Sequence, residues 1–280
     1  HVTVALSGDA GDELFGGYNR YLWGPRIWKN VSWLPCKVRQ NLFRIIAGLS
    51  GRITAEQAGM RHLLLDKLRV ALPGEKLQKL GQRLDSVEDI DELYFSLVSE
   101  WREPEDLVIG GREPATLLTS KAAWPSLQQA EDRMMYLDAM TYLPDDILCK
   151  VDRAAMGVSL ETRVPFLDHR VVEMAWQLPL DMKIRNGQGK WALRQILYKY
   201  VPAELIERPK QGFALPLGEW LRGPLRDWAE SLLDPVRLEQ EGYLNPAPVL
   251  NKWSEHLAGK RNWEHSLWSV LMFQAWLERQ

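Results

Sequence analysis

The stretch Leu6-Ser7-Gly8-Asp9-Ala10-Gly11-Asp12-Glu13-Leu14-Phe15-Gly16-Gly17-Tyr18 holds four glycines and three acids within the eleven residues from Ser7 to Gly17. Glycine admits positive φ and lets a backbone come close to a ligand. Free backbone N–H groups in such a loop can hold a phosphate or a carboxylate. Asp9 falls just past an apolar β-branched run, at the carboxyl end of a strand, where open α/β sheets bind ligands. The plainer reading of the same residues is a tight turn, with Asp12 and Glu13 in a first helical turn that they stabilise through its dipole. Composition alone leaves both open. The loop lacks the Gly-Lys-Ser/Thr ending of a Walker A sequence, and its glycine spacing is not that of a Rossmann fingerprint.

The elements that must position this loop are mostly helical. Val2 to Leu6 reads as a short buried strand running into Ser7-Gly8. Val87, Ile90, Leu93, Tyr94, Leu97, Val98 and Trp101 recur at steps of three and four, the stripe of an amphipathic helix. Met134, Met135, Leu137, Met140 and Leu143 open a second apolar segment. Val171 to Leu178 predicts a helix ended near Pro179, and Trp191 to Tyr200 one ended by Pro202. A fifth spans Trp220 to Leu233 with a break at Gly223-Pro224, and a sixth runs from Leu267 to Leu277. Residues 48–86 read as helices joined by loops. The segment from Arg102 to Pro125, with Pro104, Gly110, Gly111 and Pro114, reads as a flexible connection. A lone strand makes no sheet, so the neighbours of Val2 to Leu6 are expected upstream of His1.

The totals are those of an ordinary globular chain: 280 residues, 46% hydrophobic, 26% charged and a net charge of −2. That balance argues against a polycationic nucleic-acid binder and against disorder. Thirteen tryptophans promise a large aromatic burial. Cys36 and Cys149 allow at most one disulfide, and without a signal peptide a reducing, cytoplasmic setting is expected. No apolar run is long enough to span a membrane. The five histidines and two cysteines show no zinc-ligand spacing, so no metal-ligating residue is assigned. The start at His1, in what reads as mid-domain sequence, suggests a piece of a longer chain.

The order of blocks along the chain resembles the synthetase domain of the glutamine-dependent asparagine synthetases. The strand ending in Ser7-Gly8-Asp9, followed by Asp12-Glu13-Leu14-Phe15-Gly16-Gly17-Tyr18, is similar to that family's second signature. The resemblance continues through Tyr142-Leu143-Pro144-Asp145-Asp146-Ile147-Leu148, Lys150-Val151-Asp152-Arg153 and Leu160-Glu161-Thr162-Arg163-Val164-Pro165-Phe166-Leu167-Asp168. It returns at Gly189-Lys190-Trp191-Ala192-Leu193-Arg194 and Arg208-Pro209-Lys210-Gln211-Gly212-Phe213, and it ends near Trp276-Leu277-Glu278-Arg279.

That resemblance implies an α/β domain, a parallel sheet flanked by helices, of which residues 1–280 form the C-terminal, mainly helical part with about one short strand. It implies that ATP, with Mg²⁺, activates the aspartate carboxylate as an acyl-adenylate, and that ammonia from a glutaminase domain then gives asparagine, AMP and pyrophosphate. Ser7 and Gly8 are then expected to touch ATP. Asp9 stands where many members have Glu and handles the amine or the reactive intermediate. Asp12 helps hold the nucleotide or Mg²⁺, and Lys190 approaches the phosphates as a mobile point charge. Ser7 could instead cap a turn, Asp12 only serve a helix dipole and Lys190 be a solvated helix-start lysine. Glu161-Thr162-Arg163 and Asp152-Arg153 read as a buried polar framework. Asp145 and Asp146 read as an acidic pair at a helix start after Pro144, with a place facing substrate as the alternative. Arg208, Lys210, Gln211 and Gly212 read as a loop near the active centre or a structural turn.

Two competing functions remain. One keeps the ligase chemistry and changes the acceptor to a sugar acid or another carboxylate. The other is a nucleic-acid module built on Lys183, Arg185, Lys190, Arg194, Lys199, Arg208 and Lys210 with Trp191, Tyr198 and Tyr200 interleaved; those aromatics sit at helix-core spacing, so solvation or phosphate binding explains the charges as well. The family's first nucleotide signature, Ser-Gly-Gly-x-Asp-Ser, occurs nowhere in residues 1–280. Residues 1–280 incubated alone with ATP, Mg²⁺, aspartate and ammonia are therefore expected to release no pyrophosphate; robust release would show the missing loop dispensable.

Overall fold

The computed structural model describes residues 2–39, 41, 87–207 and 215–280. The helices expected within 48–86 and the loop at Arg208 to Gly212 lie outside the described residues. The chain divides into two compact units, His1–Val98 with Thr116–Glu207 and Ser99–Ala115 with Arg208–Gln280. One of the crossing points, between Ala115 and Thr116, falls inside the Pro- and Gly-rich segment that begins at Arg102.

In the first unit, β1 (Val4–Leu6) ends at the glycine loop. Its partner is β2 (Glu161–Arg163), parallel and in register Val4 to Glu161, Ala5 to Thr162 and Leu6 to Arg163. The Ser7 N–H donates to the Arg163 carbonyl at 2.8 Å and the Glu161 N–H to the Thr3 carbonyl at 2.9 Å, so pairing extends past both ends. This corrects the expectation that neighbours of the first strand lie only upstream. The polar triplet Glu161-Thr162-Arg163 has no apolar alternation to betray a strand, and it pairs through its backbone. Its two charged side chains are exposed, Thr162 between them is half-buried, and Glu161 and Arg163 form a solvent-facing ion pair at 2.7 Å. Asp152 and Arg153 are exposed too, so neither charged segment is the buried framework expected. Val2 and Leu6, 68% and 76% exposed, are likewise not buried in this chain.

Four helices of the first unit matter for the site: α1 (Gly11–Phe15), α2 (Asn19–Val31), α3 (Ile90–Val98) and α4 (Ala130–Met140). Tyr21, Tyr94, Met134, Met135 and Leu137 meet where α2, α3 and α4 pack together. At the centre of that contact lies Asp138, fully buried. It accepts from the Tyr94 hydroxyl at 2.7 Å, from the Tyr21 hydroxyl, and from Arg20 Nε at 2.8 Å. A buried carboxylate is tolerable only with such partners. Burial works against the charge on Arg20, but Asp138 together with Tyr21 and Tyr94 outweighs it and holds the guanidinium's pKa above its ordinary value.

Beyond α4 the chain widens into a π-turn, Leu143–Leu148, and continues directly into α5 (Cys149–Met156). Asp145 and Asp146 lie in the first turn of this π-turn, directly after Pro144, as the acidic pair expected at a helix start. The Asp145 N–H is already used, donating to the Thr141 carbonyl at 3.0 Å, and Asp146 pairs with Lys150 at 2.6 Å. Two further helices, α6 (His169–Gln177) and α7 (Trp191–Leu197), match their predicted segments. Ala10, Leu14, Phe15, Leu143 and Ala175 form the core beneath the glycine loop, with Val164, Phe166, Val171 and Leu193 against it.

The second unit comprises α8 (Leu217–Arg222), α9 (Arg226–Leu232), α10 (Pro235–Glu241), α11 (Pro246–Leu257) and α12 (Glu264–Leu277). The break between α8 and α9 falls at Gly223-Pro224, as expected. Leu221, Ala229, Leu232, Val249, Trp253, Leu267, Val270 and Leu271 make its core. Asp234 and Asn245 each cap a helix whose first residue is proline, accepting from the Arg237 N–H at 2.9 Å and the Ala247 N–H at 3.2 Å. Trp253 is the one tryptophan among the described residues that is buried; Trp33, Trp220 and Trp276 stay exposed. The tryptophans contribute rims more than cores.

Asp138→Ala leaves the Arg20 charge and two tyrosine hydroxyls without their shared acceptor. It is expected to cost about 3–5 kcal/mol of stability, read as a fall in the urea midpoint, with Asp138→Asn losing less.

Candidate functional site

The loop after β1 is closed by its own side chains. The Ser7 hydroxyl donates to Asp9 Oδ2, and the Asp9 N–H points back to Ser7 Oγ at 3.4 Å. Ser7 thus does shape a turn, and the same contact draws Asp9 to it. Ala10 takes a left-handed conformation, φ 64°, which is unfavourable for any residue bearing a Cβ. Its methyl is buried among Leu14, Phe15 and Leu143, which explains why a small apolar residue and not glycine sits there. Gly8 is different. Its φ is not positive, and a Cβ built on it meets no described atom within 4 Å. Neither strain nor packing among the described residues demands glycine at this exposed position.

Lys190 reaches this loop from far along the chain by a tight hairpin. Arg185 and Gln188 exchange backbone hydrogen bonds of 3.0 and 2.9 Å around Asn186-Gly187, both at positive φ. Asn-Gly is the favoured pair for such a turn. The returning arm then presses on the end of α1. A Cβ on Gly189 would stand 2.1 Å from the Gly16 carbonyl oxygen, and one on Gly17 would stand 1.9 Å from Asp12 Oδ1 and 2.4 Å from Lys190 Cε. The Lys190 N–H donates to the Phe15 carbonyl at 2.8 Å. Its Nζ lies 3.0 Å from Asp12 Oδ2. The two side chains are 27% and 30% exposed. Such a part-exposed pair contributes at most about 1 kcal/mol, so it holds the ammonium in place without locking it there. Lys190 is therefore no freely solvated helix-start lysine, although it does cap α7. Asp12 stands in the first turn of α1, so a dipole role and the Lys190 contact coexist.

Glu13 stands in the first turn of α1, yet its side chain is buried and accepts from the Tyr18 hydroxyl at 2.7 Å. Burial raises its carboxyl above the ordinary value of 4.5, against the lowering effect of Tyr18. Burial likewise pushes the Tyr18 phenol upward. The phenol and the Tyr142 ring lie against the Arg20 guanidinium, at 4.2 and 5.1 Å from their centroids. The place of Glu13 one residue past Asp12 puts it on another face of α1, but spacing does not say which face is buried.

The basic run around Lys190 is largely neutralised from within. Lys183 is buried 3.6 Å from Asp132, Arg185 lies 3.3 Å from Asp181 and over the Trp191 ring, and Arg194 pairs with Glu207. Among the described residues no three His, Cys, Asp or Glu side chains converge as a metal-binding group, and no helix is long and apolar enough to cross a membrane.

A family profile described as asparagine synthase matches residues 1–278. The chain is 29% identical over 284 residues to the glutamine-hydrolyzing asparagine synthetase 1 of Bacillus subtilis, covering 99% of this chain and 40% of that relative. It is 34% identical over 278 residues to a putative glutamine-hydrolyzing asparagine synthetase of Mycobacterium bovis, covering 99% of this chain and 39% of the relative. A glutamine-hydrolyzing asparagine synthetase of Gallus gallus is 29% identical over 222 residues, covering 69% of this chain and 39% of its own length. The chain thus spans about two-fifths of the length of the curated relatives it matches. No solved structure gives a significant match.

Because the folded state raises the Glu13 carboxyl, its neutral form is the one folding favours. That contribution is complete below 4.5 and is lost as pH rises through the raised value. Glu13→Gln removes the titration. Its melting temperature relative to the natural chain is expected to be higher at about pH 8 than at about pH 4; a difference independent of pH would contradict the buried-carboxyl account.

Proposed function

The chain belongs to the asparagine synthase family, and from that premise we propose that it serves the ATP-dependent amidation of a carboxylate, with aspartate as acceptor and ammonia, drawn from glutamine, as nucleophile. The observation that carries this reading is the approach of Lys190 Nζ to Asp12 at 3.0 Å, at the foot of the Ser7-Gly8-Asp9 loop. A lysine from one end of the unit and a glycine loop from the other share one small region. That is the arrangement needed to place an anionic nucleotide beside a second anion.

In this proposal the exposed backbone at Gly8 and the Ser7 hydroxyl bind ATP. Lys190, loosely paired with Asp12, turns its charge toward the phosphates. A compact ammonium on a flexible stem suits a group that must follow developing charge. Mg²⁺ accompanies the nucleotide, and Asp12 is the carboxylate at the site fit to bear on it. Attack of the aspartate carboxylate on the α-phosphorus forms the acyl-adenylate and releases pyrophosphate. Ammonia then forms the C–N bond as the C–O bond to AMP breaks, and the surplus proton passes to Asp9. The relatives' names specify glutamine hydrolysis, so a glutaminase domain is the proposed ammonia source.

In the complete natural polypeptide, aspartate is expected to trigger ATP-dependent pyrophosphate release. Lys190→Ala is expected to lower kcat by on the order of a hundredfold or more. Release driven by uronic acids and not by aspartate would reassign the acceptor, and undiminished turnover in Lys190→Ala would remove Lys190 from the site.

A further inference from the structure

We propose that Glu207 is a positioning residue for Lys190. The inference rests on the reading of Lys190 given above. Lys190 itself is held in a left-handed conformation, φ 57°, in the hinge between a hairpin and a helix. A non-glycine residue persists there only where its surroundings determine it from several sides. One side is known already: the Lys190 N–H bonded to Phe15 and its carbonyl accepting from the Arg194 N–H at 2.9 Å.

The other side converges on one carboxylate. Glu207 Oε1 accepts from Arg194 Nη1 and from the Tyr198 hydroxyl, and Oε2 accepts from Gln188 Nε2 at 3.1 Å. The Arg194 guanidinium reaches back through Nε to the Gly189 carbonyl at 3.1 Å. Gln188 and Gly189 precede Lys190 directly; Arg194 and Tyr198 follow it by one and two turns of α7. Glu207 therefore clamps the hairpin arm and the helix on either side of the lysine. An isolated pair at this exposure, with Glu207 41% exposed, has little effect alone. Three donors fixed on one carboxylate, two of them charged or aromatic groups of the same helix, define a geometry. The Tyr198 and Arg194 contacts also hold the Glu207 carboxyl below its ordinary value, with Tyr198 the larger influence, so the acceptor stays ionised at neutral pH.

Glutamine at 207 keeps the shape but replaces one acceptor oxygen by an amide donor that faces other donors. A double-mutant cycle in the complete natural polypeptide separates positioning from general damage. Glu207→Gln is expected to lower kcat for aspartate-dependent pyrophosphate release by roughly tenfold, with KM for ATP changed by less than about twofold. In a Lys190→Ala background the same change is expected to have no further effect, because its route of action is gone. Tyr198→Phe, which removes one donor and spares the rest, is expected to repeat the pattern at smaller amplitude, and it carries the test if Glu207→Gln fails to fold. Equal losses in both backgrounds, or no loss in either, overturn the inference. Full activity in Lys190→Ala alone would instead sink the assignment of Lys190 and leave the clamp a feature of stability.

Discussion

Two stretches of backbone, the turn at Gly16-Gly17 and the arm ending at Gly189, approach so closely that residue 189 has no room for a β-carbon against the Gly16 carbonyl. The arrangement at the glycine loop depends on this contact. It sets the distance between α1 and the hairpin, and it lets the Lys190 N–H find the Phe15 carbonyl. It also leaves the lysine side chain lying across Gly17 toward Asp12. Backbone contacts of this kind cannot adapt by rotamer change, so the lysine's origin is fixed more firmly than its ammonium.

Two charged contacts of the first unit are built for opposite purposes. Asp138 is fully buried, and two phenols and a guanidinium satisfy it. Removing any partner strands a charge or a hydroxyl in the core, and the contact ties α2 and α4 into one body with α3. The Lys190–Asp12 pair lies at a part-exposed edge, where solvent screens it and rearrangement costs little. A rigid polar node beside a loose one gives a framework that stays while a side chain moves.

Sequence reading recovered what periodicity encodes. The stripe through Leu93 and Tyr94, the helix before Pro179 and the break at Gly223-Pro224 all reappear as elements. β2 stayed hidden because a polar triplet that pairs by its backbone carries no alternation. The two proline-led helices were missed although Asp234-Pro235 and Asn245-Pro246 are cap-and-first-turn signals. Asn186-Gly187 likewise announced the turn that delivers Lys190. The burial of Glu13 and the convergence on Glu207 were out of reach for another reason. Both are long-range or three-dimensional facts, in which a charged residue's surroundings come from elements whose spacing says nothing of each other.

The opposed glycines have an implication for how this chain can change. A methyl added at residue 17 collides with the Asp12 carboxylate and the Lys190 stem, and one at residue 189 collides with the Gly16 backbone. At 189 no trimming of the opposite residue makes room, since Gly16 is already the smallest, whereas at 17 the Asp12 and Lys190 side chains can turn aside. Residue 189 is thus a ratchet in sequence space: once the two backbones have come together, drift can rework the surrounding surface, but a side chain cannot return there one step at a time.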